Sequence, residues 1–367
     1  MLERYGHGGD LRTAEEAFGM PADGFADFSS NMNPLGPPAS VKEVLVRYAE
    51  SIGRYPDPAV RGLRRKLAEL HGIGEQAVVV GNGAAELIDL VVRALQPKLT
   101  VLTVPCFDEY GDAVRKIGGE TMEIRLSAAH IFDLEPAADR LCELAAPGVL
   151  FMLGSPNNPT GRLAKPELLL RLVDRGADVV VDEAFMDFVP CEAEFSLVRE
   201  AARHERLFVI RSMTKFYSIP GIRLGYIVGM PKPLSRLRAL QVQWSVNSLA
   251  QEIGEAVLAE EEFAGRTLAW LGRERASLTA ALEAHGFGVV PSSANYLLCR
   301  IPESAGLSAS MLQLQMGKQG VLIRDASRFP GLDHTYIRVA VKLREQNERL
   351  LSALESCIRP SGGEGEA

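Results

Sequence analysis

The sequence predicts an α/β protein with a large domain, built on a mainly parallel sheet flanked by helices, and a smaller α+β domain. Between about residues 77 and 230, short apolar segments of strand length alternate with segments of helical periodicity. Strands this apolar are covered on both faces, as in a parallel sheet between two layers of helices. After residue 285 the pattern changes, and a length of 367 residues allows a second domain.

Strands of the large domain are predicted at six apolar segments, which are 77–81, 99–105, 148–156, 177–185, 207–213 and 224–230. Helices are predicted at 84–95 and near 108–117, and the stretch 231–285 is helical with a break near Asn247. In the last part, strands are predicted at 294–301, 321–324 and 336–341, with helices at 307–319 and up to about 357.

The predicted domain boundaries follow from these patterns. Residues 1–40 are rich in Gly, Pro and Asn, lack periodicity, and are predicted to form an extended arm that belongs to the small domain and the active site. The further predictions are a large cofactor-binding domain at 41–245, a long connecting helix at 246–285, a small domain at 286–360 and a disordered tail at 361–367. The cleft between two domains is the expected place for a small-molecule site.

Composition excludes several classes of protein. The formal net charge of −7 gives no electrostatic reason to expect nucleic acid or an anionic membrane as a partner. No apolar run approaches the roughly 18 residues that span a bilayer, and the first residues lack the apolar segment of a secretion signal. Five widely spaced cysteines without a CxxC pair argue against a disulfide framework or a metal site and favour the reducing cytoplasm.

The stretch RSMTKFYSIPGIRLGY at 211–226 carries the first chemical signal. Lys215 follows an apolar strand, and an unpaired ammonium is costly to bury. A neighbouring positive charge, such as that of Arg223, lowers the pKa of a lysine and makes its amine a nucleophile toward aldehydes. The hydroxyls of Ser212 and Thr214, together with Arg223, suit a phosphate. An aldehyde with a phosphate suggests pyridoxal 5′-phosphate (PLP) as the cofactor.

Asp182 ends the apolar strand of VVVDEAF at 179–185. A buried carboxylate needs a cationic partner, and the protonated ring nitrogen of PLP is such a partner. The alternative is that Asp182 only caps the next segment. Glu183 is expected to face solvent or a structural partner.

Three further motifs fit a PLP site. The amides of Ala84 and Ala85, after the glycine turn at Gly83, begin a helix and can bind a phosphate. Tyr110, or Phe107 in the same segment, offers an aromatic face for the ring. Asn158 in the turn-forming GSPNNPTG segment at 154–161 can contact the phenolic oxygen of the cofactor, and Asn157 is a weaker candidate.

The order of these motifs resembles that of fold-type I PLP enzymes, the aminotransferase class I/II family, over about residues 28–357. The resemblance implies the PLP-dependent transferase fold type I. It also implies that Lys215 binds the cofactor covalently, that Asp182 pairs with its ring nitrogen and that Asn158 contacts its phenolic oxygen. Tyr55, in GRYPDP, matches a family tyrosine that reaches the phosphate of the partner subunit, which implies a homodimer with shared active sites.

The resemblance also suggests how substrate is bound. Arg338 in YIRVAV matches the arginine that clamps the substrate carboxylate, and Arg324 in VLIRDA offers a second anion site. The alternative for Arg324 is a solvated strand end. His7, Gly8 and Asn31 of the arm are expected to contact the substrate, and the alternative for His7 is an unbound terminal residue.

Within the family, local motifs are more similar to threonine-phosphate decarboxylases of cobalamin biosynthesis than to histidinol-phosphate aminotransferases. These are the HGG opening, the DFSSNMNPLG arm, and DEAF in place of DEAY, so that Phe185 lacks a hydroxyl. The expected reaction is decarboxylation of L-threonine O-3-phosphate to (R)-1-amino-2-propanol O-2-phosphate. Transamination of histidinol phosphate, or of a related amino acid, is the alternative.

A role without catalysis stays open as a remote alternative. The same fold serves as the effector domain of some transcription regulators, which carry an N-terminal helix-turn-helix domain and a basic charge balance. This chain is acidic and begins with a Gly/Pro-rich arm of about 30 residues, so that an enzyme is the preferred prediction.

Overall fold

The computed structural model describes residues 2 and 8–358. The α-helices of these residues are α1 Leu11–Phe18, α2 Ala39–Tyr48, α3 Arg61–His71, α4 Ala84–Leu95, α5 Glu109–Lys116, α6 Ala138–Leu144, α7 Pro166–Asp174, α8 Glu192–Phe195, α9 Val198–Ala201, α10 Pro231–Leu240, α11 Ser248–Val257, α12 Glu261–Ala284, α13 Ala309–Lys318 and α14 Arg344–Ile358. The strands are β1 Ala26–Asp27, β2 Val78–Gly81, β3 Leu99–Val104, β4 Thr121–Arg125, β5 Val149–Gly154, β6 Asp178–Asp182, β7 Leu207–Ser212, β8 Gly225–Val228, β9 Gly288–Val289, β10 Tyr296–Arg300, β11 Val321–Leu322, β12 Arg324–Asp325 and β13 Tyr336–Ala340.

A seven-stranded sheet forms the centre of the larger part, in the order β2-β8-β7-β6-β5-β3-β4. All neighbouring pairs are parallel except those of β8, which runs antiparallel to β2 and β7. Apolar side chains of β6 and β7 alternate between two buried clusters, with Val181 and Val209 in one and Val180 and Ile210 in the other. The predicted α/β fold with a mainly parallel, helix-covered sheet is confirmed.

The register of this sheet brings chemistry-bearing residues to one edge. Gly154 of β5 lies beside Asp182 of β6, and Asp182 lies beside Ile210 of β7. Ser212, the last residue of β7, pairs with Gly225 of β8. Because the carboxyl ends of parallel strands meet at the same edge, the segments after β5, β6 and β7 share one rim of the sheet.

A four-stranded antiparallel sheet, in the order β12-β13-β10-β9, forms the centre of the C-terminal part. Arg338 of β13 lies between Leu298 of β10 and Arg324 of β12. Strand β1 of the N-terminal segment pairs in parallel with β11. The N-terminal segment is therefore tied to the C-terminal part of the chain.

Three segments differ from the sequence expectation, the first being β4, an edge strand of the central sheet that was not predicted. The arm contains the helix α1, because Asp10 accepts a hydrogen bond from the Thr13 amide and Gly19 ends the helix in the left-handed region. The stretch 246–285 holds two helices, α11 and α12, separated at 258–260. Asn247, where a break was predicted, is the N-cap of α11 and accepts a 2.8 Å hydrogen bond from the Ala250 amide. Among the described residues, no helix has the length and apolar character needed to cross a membrane.

Candidate active site

A cleft of about 380 Å³ opens where the carboxyl ends of the central strands face the C-terminal sheet and the N-terminal arm. Its walls come from both sheets and from the arm. They consist of Gly8, Gly9, Ser29, Ser30, Asn31, Met32, Ala84, Ala85, Phe107, Asp108, Glu109, Asn158, Ala184, Phe185, Ser212, Thr214, Lys215, Pro220, Arg223, Arg324, Phe329 and Arg338. Most residues that the sequence assigned to a site therefore meet in one place.

Lys215 lies in this cleft three residues after β7. Its Nζ donates a 3.0 Å hydrogen bond to Oγ1 of Thr214. Burial lowers the pKa of Lys215 to about 8, and the nearby charge of Arg223 acts in the same direction, whereas Asp182 opposes the shift. The unprotonated amine, which a nucleophile toward an aldehyde requires, is thus a minor form at neutral pH and becomes the main form at mildly alkaline pH.

Asp182 is a buried carboxylate held by two hydrogen bonds. Its Oδ2 accepts from the hydroxyl of Tyr110 at 2.8 Å, and its Oδ1 accepts from the Ala184 amide at 2.9 Å. Burial raises the pKa of Asp182, and the bond from Tyr110 lowers it. A cation at this position would favour the ionised form.

Tyr110 occupies a different place from the one expected of a stacking residue. Its ring is fully buried, packs edge-on against Phe107 with centroids 5.7 Å apart, and does not line the cleft. Phe107, the second residue considered from the sequence, does line the cleft. Of these two aromatic candidates, Phe107 is therefore the one that presents a face to the cleft.

The start of α4 faces the cleft as an anion site. Gly83 is the N-cap residue without a side-chain cap, so the amides of Ala84 and Ala85 keep their hydrogen-bonding capacity for a ligand. Gly83 has φ of +85°, and a Cβ at this position would lie only 2.6 Å from Nη2 of Arg223. The guanidinium thus packs against the glycine and adds its charge to the helix start.

Two hydroxyls complete this anion site. Ser212 Oγ and Thr214 Oγ1 lie 2.9 Å apart, and both residues line the cleft. Arg223 adopts the left-handed conformation with φ of 59°, which is costly for a residue with a side chain. Strain of this kind is typical of functional sites, and here it directs the arginine toward the helix start.

Arg338 connects the C-terminal sheet to the opposite wall. Its Nη1 donates to Oδ1 of Asn158 at 2.5 Å, and its Nη2 donates to the carbonyl of Ser29 at 2.8 Å. The guanidinium also lies over the ring of Tyr296 at 5.4 Å. Arg324 lines the same wall, with its guanidinium 5.6 Å from the ring of Phe329. Two arginines therefore face the cleft opposite Lys215.

The N-terminal arm covers part of the cleft. Gly8 and Asn31 both line it, whereas His7 lies outside the described residues. Oδ1 of Asn31 is buried and has no hydrogen-bond partner within residues 2 and 8–358. A buried acceptor without a partner is costly, so a donor on a bound molecule would suit it.

Besides Tyr110, four sequence candidates among the described residues do not line this cleft. Asp182 and Gly83 adjoin the lining residues Ala184 and Ala84, whereas Asn157 and Tyr55 make their contacts elsewhere. Asn157, the weaker of the two asparagine candidates, donates to the Pro105 carbonyl and to Thr160 and serves the turn itself. Tyr55 is 84% exposed, packs beside Trp244 and does not reach the cleft of its own chain.

Some cleft residues carried no sequence signal. Ser29 acts through its backbone carbonyl, which any residue could supply, and Phe329 lies on a loop without periodicity. Behind the cleft, the hydroxyl contact of Tyr110 to Asp182 spans 72 residues of sequence and has no local pattern. Within the described part of the chain, no cluster of three or more His, Cys, Asp or Glu side chains could hold a metal ion.

Comparison with known proteins agrees with this architecture. A threonine-phosphate decarboxylase of Salmonella typhimurium is 38% identical over 359 residues, which cover 96% of each chain. A histidinol-phosphate aminotransferase of Ralstonia nicotianae is 30% identical, over 96% of this chain and 94% of its own. The crystal structure of L-threonine-O-3-phosphate decarboxylase from Porphyromonas gingivalis superposes with a TM-score of 0.79 at 27% identity, over 91% of this chain and 99% of its own.

The sequence model of one family covers most of the chain, from residue 24 to residue 354. This match includes the central sheet, Lys215, Asp182 and the three arginines of the cleft. The chain therefore belongs to the family of class I and II aminotransferases.

Proposed function

We propose that the cleft binds pyridoxal 5′-phosphate and that the protein is a PLP-dependent decarboxylase of L-threonine O-3-phosphate. The donor set fits the cofactor group by group. Lys215 supplies an amine of lowered pKa, Asp182 a buried carboxylate that suits a cation, and Phe107 an aromatic face. The uncapped start of α4 and Arg223 form a phosphate cradle.

When bound, PLP supplies an electron sink for the pair released as a bond at the substrate Cα breaks. The residues of the chain decide which bond that is. Arg338 and Arg324 would bind the carboxylate and the phosphate of the substrate, because bidentate guanidinium groups fix the orientation of such anions. The arm residues Gly8 and Asn31, with His7, would complete the substrate pocket.

For decarboxylation, Arg338 and Arg324 would have to hold the substrate so that the bond from Cα to the carboxylate, and not the bond from Cα to hydrogen, is the one that breaks. Loss of CO₂ leaves Cα to take up one proton, which Lys215 can deliver from its Nζ. The product is (R)-1-amino-2-propanol O-2-phosphate, an intermediate suited to cobalamin biosynthesis. The separate cysteines, all free, favour the cytoplasm as the place of reaction.

One observation carries the choice of reaction. The identity of 38% to the decarboxylase of Salmonella typhimurium extends over almost the whole of both chains, against 30% for the aminotransferase of Ralstonia nicotianae. Phe185 favours the same choice, because it lines the cleft at a place where a tyrosine would add a hydroxyl. Histidinol-phosphate transamination is the second candidate, supported by that full-length identity of 30%.

Product analysis separates the two reactions. Given threonine phosphate alone, the enzyme should release CO₂ and aminopropanol phosphate over many turnovers, without a 2-oxo acid. Given histidinol phosphate and 2-oxoglutarate, it should form little glutamate. Lys215→Ala is the control, because it retains the anion-binding groups but lacks the amine. Rapid glutamate formation without CO₂ release would show that the protein is an aminotransferase and not a decarboxylase.

The cofactor proposal has its own experiment. Borohydride reduction of the PLP-loaded protein, followed by peptide mapping, should place the pyridoxyl group on Lys215. Asp182→Asn should keep part of the PLP but lose most activity, because the ring nitrogen would lose its anionic partner. A pyridoxyl group on another lysine, or near-normal turnover of the Asp182→Asn variant, would contradict these assignments.

We further propose that the protein is a homodimer in which Tyr55 reaches the phosphate of the neighbouring subunit. Trp244 packs beside Tyr55, and the chain segments around these two residues expose further apolar side chains, namely Leu45, Val46, Ile52 and Val242. Such a patch on a soluble surface is typical of a protein interface. A second copy of the chain would cover it and bring Tyr55 to a cleft that it does not reach in its own chain.

Mixed dimers test this arrangement. Tyr55→Phe should weaken PLP retention, and Lys215→Ala should remove covalent attachment. A dimer formed from one subunit of each variant should have one intact site, because the Tyr55→Phe subunit would keep Lys215 and receive Tyr55 from its neighbour. Recovery of activity on mixing supports the shared site. A fully active monomer in sedimentation experiments would exclude it.

A further inference from the structure

Arg211 is buried directly behind the cleft but does not line it. We propose that Arg211 and Glu183 form a clamp on the back of the central sheet that positions Asp182 and the Ser212–Lys215 segment for the cofactor. Arg211 is then a positioning residue, since it touches neither the cleft nor its contents. The inference rests on the proposed function, because it concerns the same PLP site.

Strand alternation places the clamp and the site on opposite faces of the sheet. On β6, Asp182 lies two residues after Val180, and on β7, Ser212 lies two residues after Ile210. Both site residues therefore lie on the face of the sheet toward α4 and Tyr110. Glu183 and Arg211 follow Val181 and Val209 on the other face. The clamp residues are thus the chain neighbours of the site residues, Glu183 after Asp182 and Arg211 before Ser212.

All three nitrogens of the Arg211 guanidinium have acidic neighbours, although Nε forms an ion pair without a hydrogen bond. Its Nε lies 3.0 Å from Oε2 of Glu183, and its Nη1 donates to Oδ1 of Asp187 at 3.0 Å. Its Nη2 donates to Oε1 of Glu192 and to Oγ of Ser196, the latter at 3.2 Å. One side chain on β7 therefore holds the end of β6 and the segment that follows it.

Glu183 adds a second set of contacts. Its Oε1 accepts a 2.7 Å hydrogen bond from the Leu197 amide, and its Oε2 accepts a 2.8 Å bond from Ser196 Oγ. The segment between Glu183 and Ser196 contains Ala184 and Phe185, which line the cleft. Movement of the clamp would therefore shift Asp182, its amide donor Ala184 and one wall of the cleft together.

Stability alone does not explain this arrangement. Charges buried as completely as those of Arg211 and Glu183 are costly to remove from water. Apolar residues of similar volume often replace such a pair without loss of stability, whereas loss of one partner is strongly destabilising. If Arg211 and Glu183 fix the relative positions of two neighbouring strand ends, their buried charges have a role beyond stability.

The same two strands offer a matched control. Arg206 precedes β7 and donates a 3.3 Å hydrogen bond to Asp178 at the start of β6, so this pair ties the opposite ends of the strands. Both pairs join β6 to β7, but only Arg211 and Glu183 lie next to site residues. Either pair could stabilise the sheet, whereas only the clamp is placed to position the residues of the cofactor site.

The test compares two double variants of the full chain. Arg211→Met with Glu183→Gln removes both charges and keeps the acceptor for Leu197, while Asp187 and Glu192 stay partly exposed to water. Arg206→Met with Asp178→Asn is the control. For each, the dissociation constant of PLP and the pH midpoint of the reaction of Lys215 with pyridoxal are measured, with folding followed by circular dichroism.

The clamp variant should fold, and it should bind PLP about tenfold more weakly than the wild type does. This loss corresponds to about 1.4 kcal/mol of binding free energy. Its pH midpoint should rise toward that of an ordinary lysine, because a looser strand end admits water to Lys215. The control should keep both wild-type values. Equal PLP affinity and pH midpoint in the clamp variant, the control and the wild type would overturn the proposal.

Glu183→Gln alone decides the question if the double variant does not fold. It keeps an acceptor for the Leu197 amide, loses the acceptor for Ser196 Oγ and removes the anion beside Arg211, and the same shifts in smaller size are expected. Wild-type values in this variant would overturn the clamp. Failure of the proposed function would look different, since the wild type itself would then not bind PLP at Lys215.

Discussion

The hydroxyl of Tyr110 donates a 2.8 Å hydrogen bond to Oδ2 of Asp182, across 72 residues of sequence and between two fully or almost fully buried side chains. This bond lowers the pKa of Asp182, whereas burial raises it. In the proposed function, Asp182 has to be ionised to pair with a protonated ring nitrogen. Tyr110 thus supports the charge state of the carboxylate from behind the cleft.

Tyr110→Phe removes this hydrogen bond and little else. The pKa of Asp182 should then rise further above its usual value, so the acidic limb of the activity profile should move to higher pH. A buried carboxylate oxygen also loses its partner, which costs about 1.5–3 kcal/mol of stability. The pH dependence of turnover and thermal unfolding measure the two effects. An unmoved acidic limb would show that Asp182 does not depend on Tyr110.

The sequence predicted those parts of the site that act through side chains at the ends of apolar strands. Lys215 and Asp182 could be found because a charged residue after a buried strand needs a chemical reason. Arg338 could be placed on one wall because a strand alternates its side chains between two faces. These signals are local, and the structure brings the three residues to one cleft region.

Contacts between distant segments left no such signal. The carbonyl of Ser29 accepts from Arg338 across 309 residues, and backbone groups are the same in every sequence. Glu183 was expected to face solvent or a structural partner, and only the fold shows it fully buried against Arg211. The helix α1 was missed because Gly and Pro on both sides of a short segment hide its periodicity.

The charge of Arg223 should control the reactivity of Lys215. The pKa of Lys215 is lowered to about 8, so its rate of reaction with an aldehyde should rise with pH through about 8 and then level off. In Arg223→Gln the midpoint should move to higher pH, because a neighbouring positive charge is lost. Pyridoxal, which lacks the phosphate, is the reagent, since it separates this effect from phosphate binding.

Arg203→Gln is the control for this experiment, because it removes an exposed arginine that is not among the groups shifting the pKa of Lys215. The midpoint of this control should equal that of the wild type. If Arg223→Gln also kept the wild-type midpoint, its charge would have no part in activating the lysine.

Gly8 should be required for substrate binding although it has no side chain. A Cβ at this position would overlap the carbonyl oxygen of Ser29, which accepts the hydrogen bond from Arg338. Gly8→Ala should therefore raise KM for threonine phosphate about tenfold, a loss of about 1.4 kcal/mol, with PLP retention unchanged. In Gly265→Ala, where a Cβ meets nothing within 4 Å, KM should not change. A normal KM for Gly8→Ala would show that the arm yields without disturbing Arg338.

Arg338 should contribute more to substrate binding than any other contact on its wall of the cleft. Asn158 and Ser29 hold its guanidinium, and its charge also lowers the pKa of Lys215. Arg338→Met should cost about 3 kcal/mol of transition-state binding, or about a hundredfold in kcat/KM, because a buried anion of the substrate loses its bidentate partner. Arg338→Lys should lose less, since it keeps the charge. Arg300→Met, on the exposed end of the neighbouring strand, should leave kcat/KM unchanged. Steady-state kinetics with threonine phosphate measure all three variants, and equal losses in Arg338→Met and Arg300→Met would remove Arg338 from the substrate site.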